Sequence, residues 1–110
     1  MPAPPLLLLD EPATGLDLPA REALIAALGT LAAREPDLAT VLVAHHLEEL
    51  PASTTHALLL RAGQTVASGP VAAALTGETV SASFGIDVRL TRHEDGRWSA
   101  RAAPGWAGRA

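Results

Sequence analysis

The hydrophobic pattern of the chain begins with an uninterrupted apolar run. Four leucines occupy residues 6–9, and Asp10 and Glu11 follow them directly. A run without polar alternation is typical of a strand covered on both faces, as in a parallel sheet flanked by helices. Adjacent carboxylates do not fit such an interior, because burying an unpaired charge is costly. We therefore expect this strand to end at a crevice, where α/β sheets bind their ligands.

The pattern then takes the period of a helix. Apolar residues recur on one helix face between residues 24 and 32, and Asp17 stands where it can cap the helix. A second apolar run at residues 40–44, rich in β-branched side chains, follows a Glu-Pro stop signal. Strand, helix and strand in this order predict a βαβ unit with two parallel strands.

Three polar residues follow these two strands. Asp10 and Glu11 come after the first strand, and His45 comes after the second. Because parallel strands end at the same edge of a sheet, we expect the three side chains to share one site. Neighbouring side chains of a strand point to opposite sides, so one acid can face a metal ion and the other a water molecule.

The second half of the sequence alternates hairpins with short helices. Runs at residues 56–61 and 64–68 flank Ala62-Gly63, and runs at residues 87–92 and 97–101 flank Glu94-Asp95-Gly96. Short helices are predicted between the two hairpins. The predicted fold class is therefore α/β, with parallel strands and flanking helices followed by antiparallel hairpins.

Composition narrows the possible functions. A chain of 110 residues has room for one domain at most. Its net charge of −4 gives no basic surface for nucleic acid, and the absence of cysteine excludes disulfides and thiolate metal sites. No segment approaches the roughly 20 apolar residues of a membrane helix. We expect no nucleic-acid partner and no direct membrane insertion, so that any membrane association goes through another protein.

Residues 6–17 as a whole resemble the Walker B segment and D-loop of ABC-type ATPases. That pattern consists of four apolar residues, Asp-Glu-Pro and a short loop that closes in Leu-Asp, and all of it is present here in register. The resemblance covers about the first two thirds of the chain. It implies a partial P-loop NTPase fold, with ATP and Mg²⁺ as the family's cofactors.

The resemblance also implies roles for individual residues. Asp10 would hold Mg²⁺, Glu11 would act as general base, and His45 would be the switch histidine that contacts the terminal phosphate. The family usually has Thr or Ser before that histidine, whereas Ala44 stands here. Taken singly, Asp10 also fits a turn cap and His45 an ordinary loop residue. His46 is expected to face solvent.

In the family, the D-loop contacts a second ATP-binding subunit across the nucleotide. The corresponding residues here are Ala13, Thr14, Gly15, Leu16 and Asp17. For Asp17 the roles of subunit contact and helix cap are compatible. The resemblance implies two partners for the whole protein: a second ATP-binding subunit and a membrane permease, which would hold it in the cytoplasm at the inner face of the membrane.

Other motifs of the family are missing from this sequence. There is no Walker A loop, and the chain contains no lysine at all. The glutamine loop and the Leu-Ser-Gly-Gly signature are absent as well. Because the Walker A loop supplies most phosphate contacts, we expect ATP hydrolase activity from the family but none from this chain alone. The expected identity is the C-terminal part of an ABC transporter ATP-binding subunit, carried by a truncated ABC ATPase.

The expected division of the chain follows from these patterns. Residues 1–75 would form the C-terminal part of the ATPase domain, residues 76–101 an accessory helix and hairpin, and residues 102–110 a disordered tail. Two alternatives stay open. One is a non-enzymatic module that docks on a complete ATPase, and the other is a fragment of an ABC-type ATPase that works on DNA or ribosomes.

Overall fold

The computed structural model describes residues 5–106, and the chain divides into two compact units between Ser53 and Thr54. The first unit contains strand β1 (Leu6–Asp10), helix α1 (Leu18–Arg34), strand β2 (Ala39–Val43) and a 3₁₀ turn at Leu47–Glu49. The second contains strands β3 (His56–Arg61) and β4 (Gln64–Pro70), helices α2 (Val71–Ala74) and α3 (Gly77–Phe84), and strands β5 (Val88–Arg92) and β6 (Trp98–Ala102).

The first unit is a βαβ unit, as the sequence predicts. Strands β1 and β2 are parallel, and their register pairs Leu8 with Val41 and Asp10 with Val43. Helix α1 connects them. Asp17 caps this helix, because its Oδ1 accepts a hydrogen bond of 3.0 Å from the backbone N–H of Ala20.

The two faces of this sheet differ in burial. On one face Leu7, Leu9 and Leu42 are half-buried. On the other face Leu6 is 66% exposed and Leu8 is 63% exposed, and Val41 and Val43 are also exposed. Within the described residues, the leucine run therefore lacks the cover on its second face that its pattern predicts.

The second unit consists of two antiparallel hairpins with α2 and α3 between them along the chain. Strands β3 and β4 form the first hairpin, and β5 and β6 form the second. Val80 on α3 is completely buried, and Val88, Trp98 and Ala103 are buried as well. The core of this unit thus consists of Trp98 and of small and medium aliphatic side chains.

Helix α3 has well-defined caps at both ends. Thr76 and Thr79 form a reciprocal capping box at its start. At its end Gly85 adopts a left-handed conformation with φ of +74°. The Arg61 side chain covers this end, and its Nη1 donates a hydrogen bond of 3.2 Å to the Ala82 carbonyl. The Ser83 hydroxyl also donates a 2.8 Å hydrogen bond to the Leu60 carbonyl, so two side chains join this hairpin to the helix.

Replacing Gly85 with alanine is expected to destabilise the second unit. The left-handed conformation costs a non-glycine residue about 1–2 kcal/mol. The new Cβ would also lie 2.5 Å from Nη1 of Arg61, so the guanidinium has to shift from its place beside the Ala82 carbonyl. Gly63→Ala is the matched control, because Gly63 has φ of +76° and no neighbouring atom within 4 Å of the added Cβ.

Urea unfolding followed by tryptophan fluorescence measures both changes, because Trp98 and Trp106 belong to this unit. We expect Gly85→Ala to lower the unfolding midpoint more than Gly63→Ala. Equal losses would show that the contact with Arg61 contributes nothing.

The structure also bears on the end of the chain. Ala102, which the sequence assigns to a tail, is the last residue of β6. Ala103 is buried, and its backbone N–H donates a 2.8 Å hydrogen bond to the Asp87 carbonyl. Residues 107–110 of the predicted tail lie outside the described residues. The predicted division at residues 75 and 76 stays a prediction. Within residues 5–106, no helix has the length and apolar character needed to cross a membrane.

Candidate functional site

The ends of β1 and β2 meet as their parallel pairing requires. Asp10 is in register with Val43 at the last step of the ladder. One residue further, the backbone N–H of Glu11 donates a 2.9 Å hydrogen bond to the Val43 carbonyl. His45 follows Val43 by two residues, so the same edge carries both chain segments of the predicted site.

The side chains of Glu11 and His45 are in contact at this edge. His45 Nε2 lies against Glu11 Oε1. The Glu11 side chain is 38% exposed and the His45 side chain 73% exposed, so the pair is open to solvent on one side. The structure thus brings together two residues that the sequence places 34 positions apart.

The backbone of Glu11 is unusual. Its φ is +51°, and Ala62 is the one other non-glycine residue within residues 5–106 that has a positive φ. A left-handed glutamate is unfavourable, and such residues persist where the surrounding structure holds them, often at functional sites. Here the Val43 bond and the contact with His45 both hold Glu11. This strain cannot be recognised from the sequence.

The predicted D-loop is a compact series of turns. The Thr14 N–H donates to the Glu11 carbonyl at 3.2 Å, and the Leu16 N–H donates to the Ala13 carbonyl at 3.1 Å. Gly15 has φ of +80°, which explains a glycine at this position. Ala13 is buried, whereas Thr14, Gly15, Leu16 and Asp17 are exposed.

A cleft of about 400 Å³ opens beside the Glu11–His45 pair. Residues of the loop after β1 line one part of it, and residues of the segment after β2 line another. The full lining consists of Glu11, Ala13, Thr14, Gly15, Leu16, Arg21, His45, His46 and Glu49.

Three of these residues were not assigned to the site from the sequence. Arg21 comes from the first turns of α1, His46 directly precedes the 3₁₀ turn, and Glu49 is the last residue of that turn. His46 Nδ1 lies 3.1 Å from Glu49 Oε2, and the His46 side chain is 70% exposed, in agreement with its predicted solvent position. For Arg21 and Glu49 the sequence contains one weak signal: each follows a predicted site residue, Asp17 or His45, by four positions. Charged residues at this spacing are too common to identify a site.

The described residues suit Mg²⁺ only in part. Within residues 5–106 no three His, Cys, Asp or Glu side chains are grouped to hold a metal ion. Asp10 is exposed at the end of β1 and is not among the residues that line the cleft. Mg²⁺ commonly uses one or two carboxylates together with phosphates of the substrate. Asp10 therefore fits as one protein ligand of a phosphate-held ion.

Comparison with known proteins begins with a relative in Bacillus subtilis. No protein-family model matches the chain. An uncharacterized ABC transporter ATP-binding protein of that organism, YlmA, is 38% identical over 104 residues, which cover 94% of this chain. The chain belongs to the family of ABC transporter ATP-binding proteins. The matched region corresponds to 39% of YlmA, so the chain spans only a part of such a protein.

Other members of the ABC transporter family give the same result. The molybdenum import ATP-binding protein ModC of Shewanella sp. (strain MR-7) is 42% identical over 69 residues, covering 63% of this chain and 19% of that protein. Among solved structures, a metal-chelate type ABC transporter in an inward-facing conformation matches with a TM-score of 0.69 and 24% identity. That match covers 90% of this chain and 39% of the other, and it confirms the α/β fold.

These comparisons confirm the predicted family and fold class. The individual roles of Asp10, Glu11, His45 and the loop at residues 13–17 stay predictions.

Proposed function

We propose that this chain supplies the reacting end of an ATPase site in an ABC transporter. In this proposal it is part of an ATP-binding subunit whose hydrolysis of ATP is coupled to transport through a membrane permease. The groups that hold the nucleotide belong to polypeptide other than this 110-residue chain.

The observation that carries the proposal is the contact between Glu11 and His45 at the ends of two parallel strands. A carboxylate oriented by a neighbouring imidazole is an arrangement suited to accept a proton from water. Its position at the carboxyl edge of the sheet is where α/β folds bind ligands. The φ of +51° at Glu11 accompanies this contact, and non-glycine residues in this conformation cluster at functional sites.

The residues divide the chemistry as follows. Glu11 accepts the proton of the attacking water, and His45 orients the Glu11 carboxylate. Asp10 is one ligand of Mg²⁺, which when bound neutralises charge on the phosphates. The loop at residues 13–17 faces a second ATP-binding subunit, and a permease holds the assembly at the cytoplasmic face of the membrane.

The nucleotide itself requires contacts that this chain does not provide. A lysine and a glycine-rich loop ordinarily surround the phosphates, and the sequence has neither a lysine nor such a loop. The 61% of YlmA that lies outside the matched region provides room for them. We therefore propose that the chain alone neither binds ATP tightly nor hydrolyses it.

A second candidate is a non-enzymatic module that docks on a complete ATPase. The observation in its favour is the open face of the first sheet, where Leu6 and Leu8 are both more than 60% exposed. Parallel sheets are generally covered on both faces, so an exposed sheet face is a suitable surface for binding a partner. The two candidates differ in one expectation. The rate of ATP hydrolysis by the assembly depends on Glu11 in the first and does not depend on it in the second.

Titration calorimetry with Mg-ATP tests whether this chain needs residues from outside it to bind the nucleotide. The isolated chain is compared with a chimaera in which residues 1–110 replace the matching part of YlmA. We expect saturable binding by the chimaera and none in the micromolar range by the isolated chain. Micromolar binding by the isolated chain would contradict the proposal.

A further inference from the structure

The hairpin of β5 and β6 has a charge opposite to that of the chain as a whole. The chain contains eight basic and twelve acidic residues. Residues 88–102 include four of the arginines but only Glu94 and Asp95 of the acids, and both acids lie in the turn between the two strands. A chain with a net negative charge thus contains one hairpin with a net positive charge. Such a separation of charge creates a local positive potential that attracts anions.

Two of these arginines lie directly opposite each other. The antiparallel register pairs Arg89 with Arg101, and both residues are exposed. Side chains in directly opposite positions have Cβ atoms about 4.5–5.5 Å apart, and like charges at this spacing are destabilising. Within residues 5–106, neither arginine forms an ion pair with an acidic side chain. The described chain therefore leaves the repulsion between the two guanidinium groups uncompensated.

The neighbouring pair on the same face consists of hydroxyl residues. Thr91 is in register with Ser99, two residues along each strand from the arginines. Alternate residues of a strand share a face, and two residues span about 7 Å. Strands β5 and β6 contain no acidic residue. This face of the hairpin, called here the arginine face, thus combines two guanidinium groups with two hydroxyl groups.

The opposite face of the hairpin has a different role. Val88 and Trp98 are buried there. The Arg92 guanidinium carbon lies 4.9 Å from the centre of the Trp98 ring, a cation–π contact. Arg92 therefore has a partner within the hairpin, in contrast to the two arginines of the arginine face.

The donors of the arginine face suit a phosphate group better than a carboxylate. A single guanidinium fork pairs with both oxygens of a carboxylate. A phosphate monoester offers three acceptor oxygens and a charge of about −1.5 to −2 at pH 7, which matches two adjacent forks. Serine and threonine hydroxyls supply further donors. One pair of arginines corresponds to one phosphate group and not to a long polyanion such as nucleic acid.

We propose that Arg89 and Arg101 form a binding site for a phosphate group, with Thr91 and Ser99 as hydroxyl donors. The bound anion neutralises the two guanidinium groups and thereby stabilises the hairpin. The ligand is a phosphate monoester, either a soluble one or a phospholipid headgroup of the same chemistry. The inference does not rest on the proposed function, because all four residues belong to the second unit.

Proton–nitrogen spectra of the complete 110-residue chain test the site. The chain is titrated with sodium phosphate at constant ionic strength. We expect saturable shifts of the side-chain Nε–H resonances of Arg89 and Arg101 and of the amides of Thr91 and Ser99. Arg89→Gln and Arg101→Gln should each weaken phosphate binding by about fivefold, the upper range for an exposed ion pair.

Arg92→Gln is the matched control, because it removes the same charge from the opposite face of the same hairpin. It should leave the affinity for phosphate unchanged. Sodium acetate tests the class of anion and should cause no saturable shift. Three results would overturn the proposal: parental phosphate binding by both Arg89→Gln and Arg101→Gln, an equal loss in Arg92→Gln, or acetate binding as tight as that of phosphate.

Thermal unfolding provides a second measurement. Because Arg89 and Arg101 repel each other, Arg89→Gln should leave the chain at least as stable as the parent in the absence of phosphate. Phosphate should raise the Tm of the parent and of Arg92→Gln, but not that of Arg89→Gln. An equal rise in all three proteins would show that phosphate acts elsewhere, and would overturn the proposal.

Sedimentation with vesicles distinguishes the two sources of the phosphate group. Phosphatidylcholine vesicles that contain phosphatidic acid are compared with vesicles of phosphatidylcholine alone. Sedimentation with the first only, lost in Arg89→Gln, would support the site and assign it to a headgroup. Saturable binding of free phosphate without sedimentation would support the site and assign it to a soluble phosphate ester. Binding of neither free phosphate nor phosphatidic acid would overturn the proposal.

Discussion

Glu11→Gln in the chimaera is expected to lower the rate of ATP hydrolysis by roughly 10²-fold or more, the usual contribution of a positioned general base. Glutamine keeps the size of the side chain and its contact with His45, but it cannot accept a proton from water. Binding of Mg-ATP should survive, because Glu11 is not proposed to hold the nucleotide. Steady-state phosphate release and calorimetry on the same preparation measure the two properties separately.

Glu35→Gln is the matched control for this change. Glu35 ends α1 and does not line the cleft, so its neutralisation should leave the rate unaltered. A chimaera that turns over at the parental rate with Gln at position 11 would show that the assignment of the base is wrong.

The second large effect is expected at His45, and it should not extend to its neighbour. His45→Ala removes the partner of the Glu11 carboxylate. A hydrogen bond to a charged group contributes about 1.5–3 kcal/mol, which corresponds to roughly 10–100-fold in rate. His46→Ala removes a mostly exposed side chain that contacts Glu49, outside the Glu11–His45 pair.

The rates of the two alanine variants therefore distinguish the histidines. We expect a loss for His45→Ala and a rate close to the parent for His46→Ala. The reverse order would assign the switch role to His46 and would require a different arrangement of the strand end.

Much of the first unit can be predicted from the sequence. The change from a continuous apolar run to a helical period locates β1 and α1, and the cap at Asp17 follows from its place before Pro19. The meeting of Glu11 and His45 follows in turn, because parallel pairing puts both strand ends at one edge. Local periodicity and one topological rule are enough for these features.

Other features depend on contacts that no local pattern contains. The leucine run predicts burial on both faces, but burial requires elements packed over each face, and within residues 5–106 Leu6 and Leu8 remain exposed. The positive φ of Glu11 results from its bond to Val43 and from the turns that follow. Arg21 and Glu49 carry no motif, and their place in the cleft appears only when the two segments are folded side by side.

The central claim is that this chain contains the reacting groups, and that polypeptide outside this chain binds the nucleotide. Phosphate release by the chimaera, compared with that of YlmA lacking the matched region, tests it most directly. We predict steady turnover by the chimaera and none by the shortened YlmA, because the shortened protein has no counterpart of Glu11 and His45. Equal turnover by the two proteins would show that residues 1–110 contribute nothing to the chemistry, and would contradict the account.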